Sequence, residues 1–302
     1  MLTLYKFFCY LNYPLWVLTL RIRRIKGKEH KTRYKEKLGI CLPNPSKKNV
    51  IWVNALGLGE TLSLTFFLQE LAKKFDNHTI LFTSSTLQSQ LALEKIPLRK
   101  NIIHQFSPVD NHYAINRFLK HWNPRISLFS ELDIWPFRIM ELKKRKKASL
   151  LINSRMNETK KKSRKMLGKI FSEPLKAFDH IYLQDEKSKP HFLELGVEEK
   201  KIKVCGPIKS AGTIFSDTSV IEKKIRSSMQ NKIFWTAASL HESEENEILE
   251  AYKLAKRELP NLVLIIIPRS TELSKTTMQK SMNYSDFVKY RYQKSDMPNE
   301  NT

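Results

Sequence analysis

The chain has 302 residues, of which 41% are hydrophobic and 27% charged, so its composition is that of a globular protein long enough for two domains. Its formal net charge of +23 indicates an anionic partner, which a membrane surface, a nucleic acid or a phosphorylated substrate would each satisfy. The three cysteines, Cys9, Cys41 and Cys205, form an odd set without metal-ligand spacing and favour reduced thiols in a cytosolic setting.

The first 38 residues combine an apolar segment with a basic one. Residues 1–20 are apolar and aromatic, but Lys6, Asn12 and Pro14 make them marginal as a spanning helix. The basic run RIRRIKGKEHKTRYKEK follows at once, and no signal-peptide cleavage site precedes it. We therefore expect residues 1–38 to form a membrane anchor, with their cations against anionic headgroups on the cytoplasmic side. A helix packed on its own domain, with solvated lysines, is the alternative.

From residue 48 onwards the sequence alternates between strand-like and helix-like segments. The strand-like runs are NVIWVNA, HTILFTSS, NIIHQFSP, RISLFS, ASLLINS and HIYLQD, with KIKVCG closing the series. Between them lie amphipathic segments predicted as helices at 61–75, 87–95, 111–121, 136–146, 160–178 and 186–195. This alternation predicts an α/β domain over residues 48–209, with a mostly parallel, Rossmann-like sheet and helices on both faces.

A second unit is predicted after a polar stretch near 210–230. Residues 230–302 contain the strand KIFWTAAS, a helix at 243–258 and the strand LVLIIIP, followed by another helix start. That is about two βα repeats, whereas a doubly wound domain is built from two βαβαβ halves. We therefore expect this second Rossmann-like domain to be incomplete and the chain to be a truncated form of a longer protein.

The stretch IWVNALGLGE at 51–60 predicts a strand, a glycine turn and a helix that begins near Glu60. Ligands of open α/β sheets bind beside such turns, where Gly59 would permit a close approach and Glu60 could contact a substrate. Alternatively, Glu60 only complements the helix dipole. The turn is not a nucleotide-cofactor fingerprint, because Leu62 occupies the third glycine position and the next strand ends in TSS, without an acidic residue. No P-loop is present, and we expect neither a cofactor nor a metal ion.

Further segments complete a resemblance to a known family. They are SELDIWP at 130–136, NSRMN at 153–157, CGPIK at 205–209, ASLHESEE at 238–245 and IIPRSTE at 266–272. Together with WVNALGLGE, in this order and spacing, they resemble the motifs of the lipid A Kdo transferases. These enzymes transfer 3-deoxy-D-manno-octulosonic acid (Kdo). They are two-domain GT-B glycosyltransferases attached to the cytoplasmic face of the bacterial inner membrane.

The resemblance implies roles for individual residues. Glu60 matches the family's proton acceptor, while Glu131 and Lys209 match residues that stabilise the transition state. Pro268 and Arg269 match a pair that contacts the CMP part of the donor. The domain over 48–209 would then bind the acceptor, and the one over 230–302 the donor.

Several candidate residues also have a purely structural interpretation. His241, Glu244 and Glu245 could bind substrate or could only begin a helix. Glu131 and Asp133 follow a strand, where carboxylates often cap the next helix.

The resemblance also implies a substrate pair, CMP-Kdo as donor and a lipid A precursor (lipid IVA) as acceptor. The donor's phosphate leaves as an anion without protonation, whereas the acceptor hydroxyl must lose its proton. One carboxylate can take that proton, which makes an inverting single displacement with Glu60 as general base the expected mechanism. An anion near the sugar and cations near the phosphate would stabilise the transition state.

The chain departs from the family pattern at four positions. Asn54 replaces a histidine, Gly57 a serine, Asp133 a glutamate and Ser270 a histidine. The shorter carboxylate of Asp133 puts its expected contact in doubt.

Two other functions remain open. One is a catalytically inactive, membrane-associated remnant of such an enzyme. The other is a basic nucleic-acid-binding protein. The sequence contains no RRM, KH, zinc-finger or helix-turn-helix pattern, which argues against this function. We therefore expect no nucleic acid partner.

Overall fold

The structure is a computed structural model that describes residues 2–47, 49–208, 231–270 and 274–284. The chain divides into two compact units, the first ending at Ile214 and the second beginning at Phe215. Their described parts, 2–208 and 231–284, are taken in turn.

The first unit contains a seven-stranded parallel sheet with the strand order β3-β2-β1-β4-β5-β6-β7. The strand order reverses beside β1, as in doubly wound Rossmann-like folds. The strands are β1 (Asn49–Asn54), β2 (His78–Ser84), β3 (Ile102–Phe106), β4 (Ile126–Ser130), β5 (Ala148–Ser154), β6 (His180–Leu183) and β7 (Ile202–Val204).

Helices precede and separate these strands. They are α1 (Leu2–Leu11), α2 (Tyr13–Ile25), α3 (Leu58–Lys74), α4 (Leu87–Leu93), α5 (His112–Trp122), α6 (Pro136–Lys144), α7 (Glu158–Met166), α8 (Lys169–Ala177) and α9 (Lys189–Glu194). Side-chain caps begin several of them: the Asn111 side chain accepts hydrogen bonds from Tyr113 N and Ala114 N at the start of α5. The single helix expected at 160–178 is two helices, because Gly168 adopts a φ of 52° between α7 and α8.

Alternate side chains of the strands enter two separate cores, one on each face of the sheet. On β1, Val50 and Trp52 belong to one core, with residues of α5, α6 and α8, whereas Ile51 and Val53 belong to the other, with residues of α3 and α4. Since successive side chains of a strand point to opposite faces, these apolar runs are what a sheet covered on both faces requires.

The N-terminal helices α1 and α2 pack on the first unit along one face and expose apolar side chains on another. Cys9 and Leu20 are buried, and Tyr5 and Trp16 pack against the buried clusters. A second, exposed stripe follows the helical spacing; its members are Leu4, Phe7, Phe8, Leu11, Leu15, Leu18, Ile22 and Ile25. No helix in the described ranges is both long and apolar enough to span a membrane.

Part of the basic segment that follows α2 is buried rather than solvated. The Lys37 ammonium lies 2.5 Å from Glu29 Oε2 and donates to the Ser85 carbonyl at 2.8 Å. Glu36 accepts a hydrogen bond from Phe106 N, and Arg33 donates to the His104 carbonyl. These contacts fix residues 29–37 against the carboxyl ends of β2 and β3.

The second unit contains a two-stranded parallel sheet formed by β8 (Ile233–Leu240) and β9 (Leu262–Pro268). The helix α10 (Glu245–Glu258) connects the strands, and α11 (Ser274–Ser281) follows. The α/β fold class and the parallel sheet of the N-terminal domain are as the sequence predicts.

Candidate active site

Glu60 lies in the first turn of α3, at the carboxyl end of β1. Its Oε2 accepts hydrogen bonds from Leu56 N at 2.9 Å and from Gly57 N at 2.7 Å. Its Oε1 accepts none from any residue that the structure describes. The carboxylate therefore caps the first turn of α3, and the half-buried Glu60 still has one oxygen without a described partner.

The two glycines of this turn are not held in conformations that exclude other residues. Gly57 has a φ of −123° and a ψ of −176°, which is extended backbone. A Cβ built on Gly59 would meet nothing within 4 Å. Gly59 is exposed and leaves open space beside Glu60, and substrate binding at this position stays a prediction.

Glu131, the first residue after β4, has a strained backbone. Its φ is 60°, a left-handed conformation that is uncommon for residues other than glycine and costs of order 1–3 kcal/mol. The Glu131 N–H donates to the Ile152 carbonyl at 2.9 Å, and its own carbonyl accepts a hydrogen bond from the Ser154 hydroxyl. Such strain, held in place by the neighbouring strand, is typical of functional sites.

A buried polar cluster, which we call the Asn54 cluster, lies at the same edge of the sheet. The Asn54 side-chain oxygen accepts from the Thr83 hydroxyl at 2.7 Å and the Ser107 hydroxyl at 2.8 Å, and its amide donates to Asp133. Asp133 Oδ1 also accepts from the Trp135 indole at 2.6 Å. The shorter carboxylate of Asp133 therefore does have a defined contact, and the contact is to Asn54, another position where the chain departs from the family pattern.

Arg138 joins this cluster to Asp110 and is fully buried. Its guanidinium lies 3.4 Å from Asn54 Oδ1 and donates to the Pro108 carbonyl at 2.5 Å. The carboxylate of Asp110 accepts from Phe137 N and Arg138 N at the start of α6, and from the Tyr5 hydroxyl of α1 at 2.7 Å. A continuous set of contacts thus runs from the N-terminal helix to the edge of the sheet that carries Glu60.

Burial sets the protonation equilibria of this cluster. It raises the pKa of the Asp133 and Asp110 carboxyls, an effect that the Arg138 charge partly offsets. Burial in turn lowers the pKa of Arg138, which the two aspartates oppose. The charged state of Arg138 therefore depends on the two aspartates, and the charged states of the aspartates depend on Arg138.

Lys209 lies outside the described residues, but the segment that leads to it is anchored to β5. Ile208 N donates to Asn153 Oδ1 at 3.0 Å, and Asn153 itself has a φ of 53°. The NSRMN and CGPIK segments are thus joined by a hydrogen bond. The role of Lys209 stays a prediction.

In the second unit, Pro268 ends β9, and Arg269 N donates to the Leu240 carbonyl at 2.9 Å, with the Arg269 side chain exposed. His241 N donates to Glu244 Oε2 at 2.8 Å, and Glu244 N donates to the His241 carbonyl, so this pair begins a helical turn. Glu245 is buried, and its two oxygens accept from the Thr277 hydroxyl and from the Lys280 ammonium at 2.8 Å. Substrate binding by His241, Glu244 and Glu245 stays a prediction.

Sequence reasoning singled out the two half-buried carboxylates of Glu60 and Glu131 but missed Arg138, Asp110 and Thr83. The available signal was the polar ends of two strand-like runs, TSS at 83–85 and SPVD at 107–110. Within the described ranges, no group of three or more His, Cys, Asp or Glu side chains is suited to hold a metal ion.

Comparison with known proteins gives the family. Residues 32–211 match the sequence model described as 3-deoxy-D-manno-octulosonic-acid transferase (kdotransferase). A 3-deoxy-D-manno-octulosonic acid transferase of Rickettsia bellii is 30% identical over 278 residues, which cover 92% of this chain and 66% of that protein. The Rickettsia felis enzyme of the same name is 30% identical over 254 residues, covering 83% of this chain and 53% of that protein. The chain thus spans between about half and two thirds of the length of these relatives.

A solved structure supports the fold. UDP-GlcNAc 2-epimerase from Methanocaldococcus jannaschii superposes with a TM-score of 0.53 at 12% identity, covering 78% of this chain and 70% of that one. At this identity the likeness concerns the fold alone, which is of the Rossmann-like GT-B type. With the match over 32–211 and the 30% identical relatives, the chain belongs to the Kdo transferase family.

Proposed function

We propose that the protein transfers Kdo from CMP-Kdo to a lipid A precursor such as lipid IVA, with Glu60 as the general base. The observation that carries this proposal is the state of the Glu60 carboxylate. Two backbone N–H groups hold Oε2, while Oε1 is free of described partners beside the open space at Gly59.

The two backbone hydrogen bonds orient the carboxylate through Oε2 and leave Oε1 available. Because they act on Oε2, the second oxygen has a defined direction in which to accept the acceptor hydroxyl's proton as that hydroxyl attacks the sugar. A positioned base of this kind contributes roughly 10²–10⁴-fold to the rate. Attack on the face opposite the departing CMP then inverts the anomeric centre in a single displacement.

Charge placement would complete the reaction. Glu131 lies at a strained backbone position just after β4, and its carboxylate could stabilise the positive charge that develops on the sugar. The cations Lys209 and Arg269, the latter exposed after β9, would stabilise negative charge on the leaving phosphate. These roles rest on the motif matches and on the residue chemistry.

Substitution of Glu60 by glutamine tests the base. The amide oxygen of the glutamine can still accept from Leu56 N and Gly57 N, so Glu60→Gln should fold normally and lose transfer by roughly 10²–10⁴-fold. Glu70→Gln, at an exposed position of the same helix, is the matched control and should retain activity. Kdo incorporation into a lipid A precursor is measured with the protein produced at its natural length. A loss below about tenfold for Glu60→Gln would contradict the general-base role.

We also propose that the protein is attached to the cytoplasmic face of the inner membrane through α1 and α2. The exposed apolar stripe of these helices, followed by a basic segment, is typical of a helix that lies in the membrane interface. Deletion of residues 1–38 is a poor test, because it would also remove Tyr5 and the buried Lys37.

Surface substitutions separate attachment from folding. Serine at Phe7, Phe8 and Leu11 together should move the protein from the membrane to the soluble fraction, because these side chains are 50–62% exposed and hold no core. The matched control places serine at three exposed apolar positions elsewhere in the first unit: Leu91, Met166 and Leu193. Equal sedimentation of both triple variants with membranes would contradict attachment through α1.

A further inference from the structure

A cavity of about 300 Å³ lies between α1 and α6. Its apolar wall is formed by Tyr10, Phe137 and Met140. Tyr10 is held in place by stacking on His112, with ring centroids 3.9 Å apart, and by an edge contact to Phe137. The wall is therefore built from side chains that pack on one another.

Three lysines, Lys6, Lys143 and Lys144, line the same cavity. None of them makes an ion pair with a carboxylate in the described part of the chain. The one carboxylate of the lining, Glu141, is paired with Arg145 at 3.5 Å. The cavity thus has an excess of positive charge that no described side chain neutralises.

The position of these lysines is not explained by helix electrostatics alone. Lys143 and Lys144 lie in the last turn of α6, where cations complement the helix dipole. Lys6 comes from a different helix and lies in the middle of α1, outside the terminal turns in which the helix dipole acts. Two helices therefore bring like charges to one cavity, and an anion bound there would reduce the repulsion between them.

An apolar surface adjoins this charged cavity. Lys6 precedes the exposed Phe7 on α1, and Tyr10 precedes the exposed Leu11, so the cavity borders the apolar stripe of α1 along one turn of the helix. A molecule with a phosphate and an acyl chain could place the phosphate among the lysines and the chain along the stripe. A free anion would use only the lysines.

We propose that the cavity between α1 and α6 binds the phosphate group of an anionic membrane lipid. Lysine ammonium groups bind phosphate as point charges, and three of them can donate to separate phosphate oxygens. The bound lipid would fix α1 against α6 at the membrane surface. The inference goes beyond the proposed transfer reaction and depends on the proposed membrane attachment only for the origin of the lipid.

The test titrates the full chain with monomeric dihexanoyl phosphatidic acid and measures binding by calorimetry. We expect about one lipid per chain. Inorganic phosphate should bind at least about tenfold more weakly, and dihexanoyl phosphatidylcholine should give no saturable binding. Lys143→Gln combined with Lys144→Gln should weaken phosphatidic acid binding at least about tenfold, and Lys6→Gln alone should weaken it measurably.

The matched control combines Lys162→Gln with Lys165→Gln, which removes the same charge from exposed positions of α7. Its affinity should stay within about twofold of the unchanged chain, and thermal unfolding of each variant verifies the fold. Equal weakening by the control pair would overturn the proposal in favour of general charge attraction. Equal affinity for inorganic phosphate and phosphatidic acid would overturn the lipid as ligand. Because the assay contains neither donor sugar nor bilayer, failure of the transfer or attachment proposals would not change its result.

Discussion

In the first unit, both faces of the sheet are covered by helices, and Trp52, Phe82 and Phe129 are completely buried. In the described part of the second unit, by contrast, several apolar side chains of the two strands are exposed: Ile233 and Phe234 on β8, and Ile265 and Ile267 on β9. Both units use the same parallel βα pattern. They differ in how much of the apolar surface of each strand is covered by neighbouring helices.

This difference shows that the strand pattern alone does not determine how much apolar surface is buried. Parallel strands are apolar on both sides because helices normally cover both faces of the sheet. A strand with one covered face keeps its β-propensity but contributes less burial to folding. We therefore expect the free energy of unfolding to depend strongly on apolar residues of the first sheet and weakly on those of β8.

Truncating one phenylalanine in each unit tests this expectation most directly. Phe129→Ala removes a ring that contacts Trp52 and Phe178, so it should lower the free energy of unfolding by about 3–5 kcal/mol. Phe234 is 44% exposed, so Phe234→Ala should cost less than about 1 kcal/mol. Urea unfolding is followed by tryptophan fluorescence for the first unit, which holds four of the five tryptophans, and by hydrogen exchange for the second. Similar losses for both variants would contradict the difference between the units.

Each unit also contains a buried carboxylate whose charge interacts with a cation, and these groups sharpen the comparison. Arg138 is fully buried and interacts electrostatically with the buried Asp133 and Asp110, whereas the side chain of Lys280, the ion-pair partner of the buried Glu245, is 36% exposed. Arg138→Met should lower the free energy of unfolding by about 3–5 kcal/mol, since it leaves two buried carboxylates without a cation. Lys280→Met should cost less, because water reaches that site and Thr277 still donates to Glu245.

The pH dependence distinguishes a charge effect from a packing effect in Arg138→Met. Burial already raises the pKa of Asp110 and Asp133, and without the arginine both should rise further. A carboxyl group whose pKa is higher in the folded state than in the unfolded state contributes its full stability below the unfolded-state pKa. This contribution is lost as the pH rises through the folded-state pKa. The deficit of Arg138→Met should therefore be larger at pH 8 than at pH 5.5. A deficit that is the same at both pH values would mean that lost packing alone destabilises the variant.

The sequence predicted the features that depend on local pattern. The strands, the turn before Glu60 and the position of Glu131 after β4 follow from apolar runs that end at polar residues. Arg138 was indistinguishable from the neighbouring basic residues, because its burial depends on Asp110 and Asn54, which are 28 and 84 positions away. Likewise, Lys37 lies in a basic run that was expected to face membrane headgroups or, alternatively, solvent, and its burial involves Glu29 and Ser85. Hydrophobic periodicity does not predict which polar groups that are distant in sequence will contact one another in the fold.

A smaller effect than those of Phe129→Ala and Arg138→Met is expected at His104, which is half-buried where residues 29–37 cover β3. Burial, and secondarily the Arg33 charge, lower the pKa of His104 to about 3. Arg33 Nη2 lies 3.4 Å from Nδ1, and Ser84 Oγ lies 2.9 Å from Nε2, which suits a neutral ring that donates from Nε2.

The unfolded chain binds a proton at His104 below about pH 6.5, whereas the folded chain does so only near pH 3. The stability that depends on the neutral ring is thus complete above about pH 6.5 and is lost as the pH falls towards 3. At pH 5 the loss should be about 2 kcal/mol, at 1.36 kcal/mol per pKa unit. His104→Gln should remove this part of the change, so its free energy of unfolding should fall less between pH 7.5 and pH 5 than that of the unchanged chain. His180→Gln, at an exposed position of β6, is the control and should leave the pH dependence unaltered. If His104→Gln had the same pH dependence as the control, the histidine would not be held neutral by residues 29–37, and this segment would not shield the ring from water.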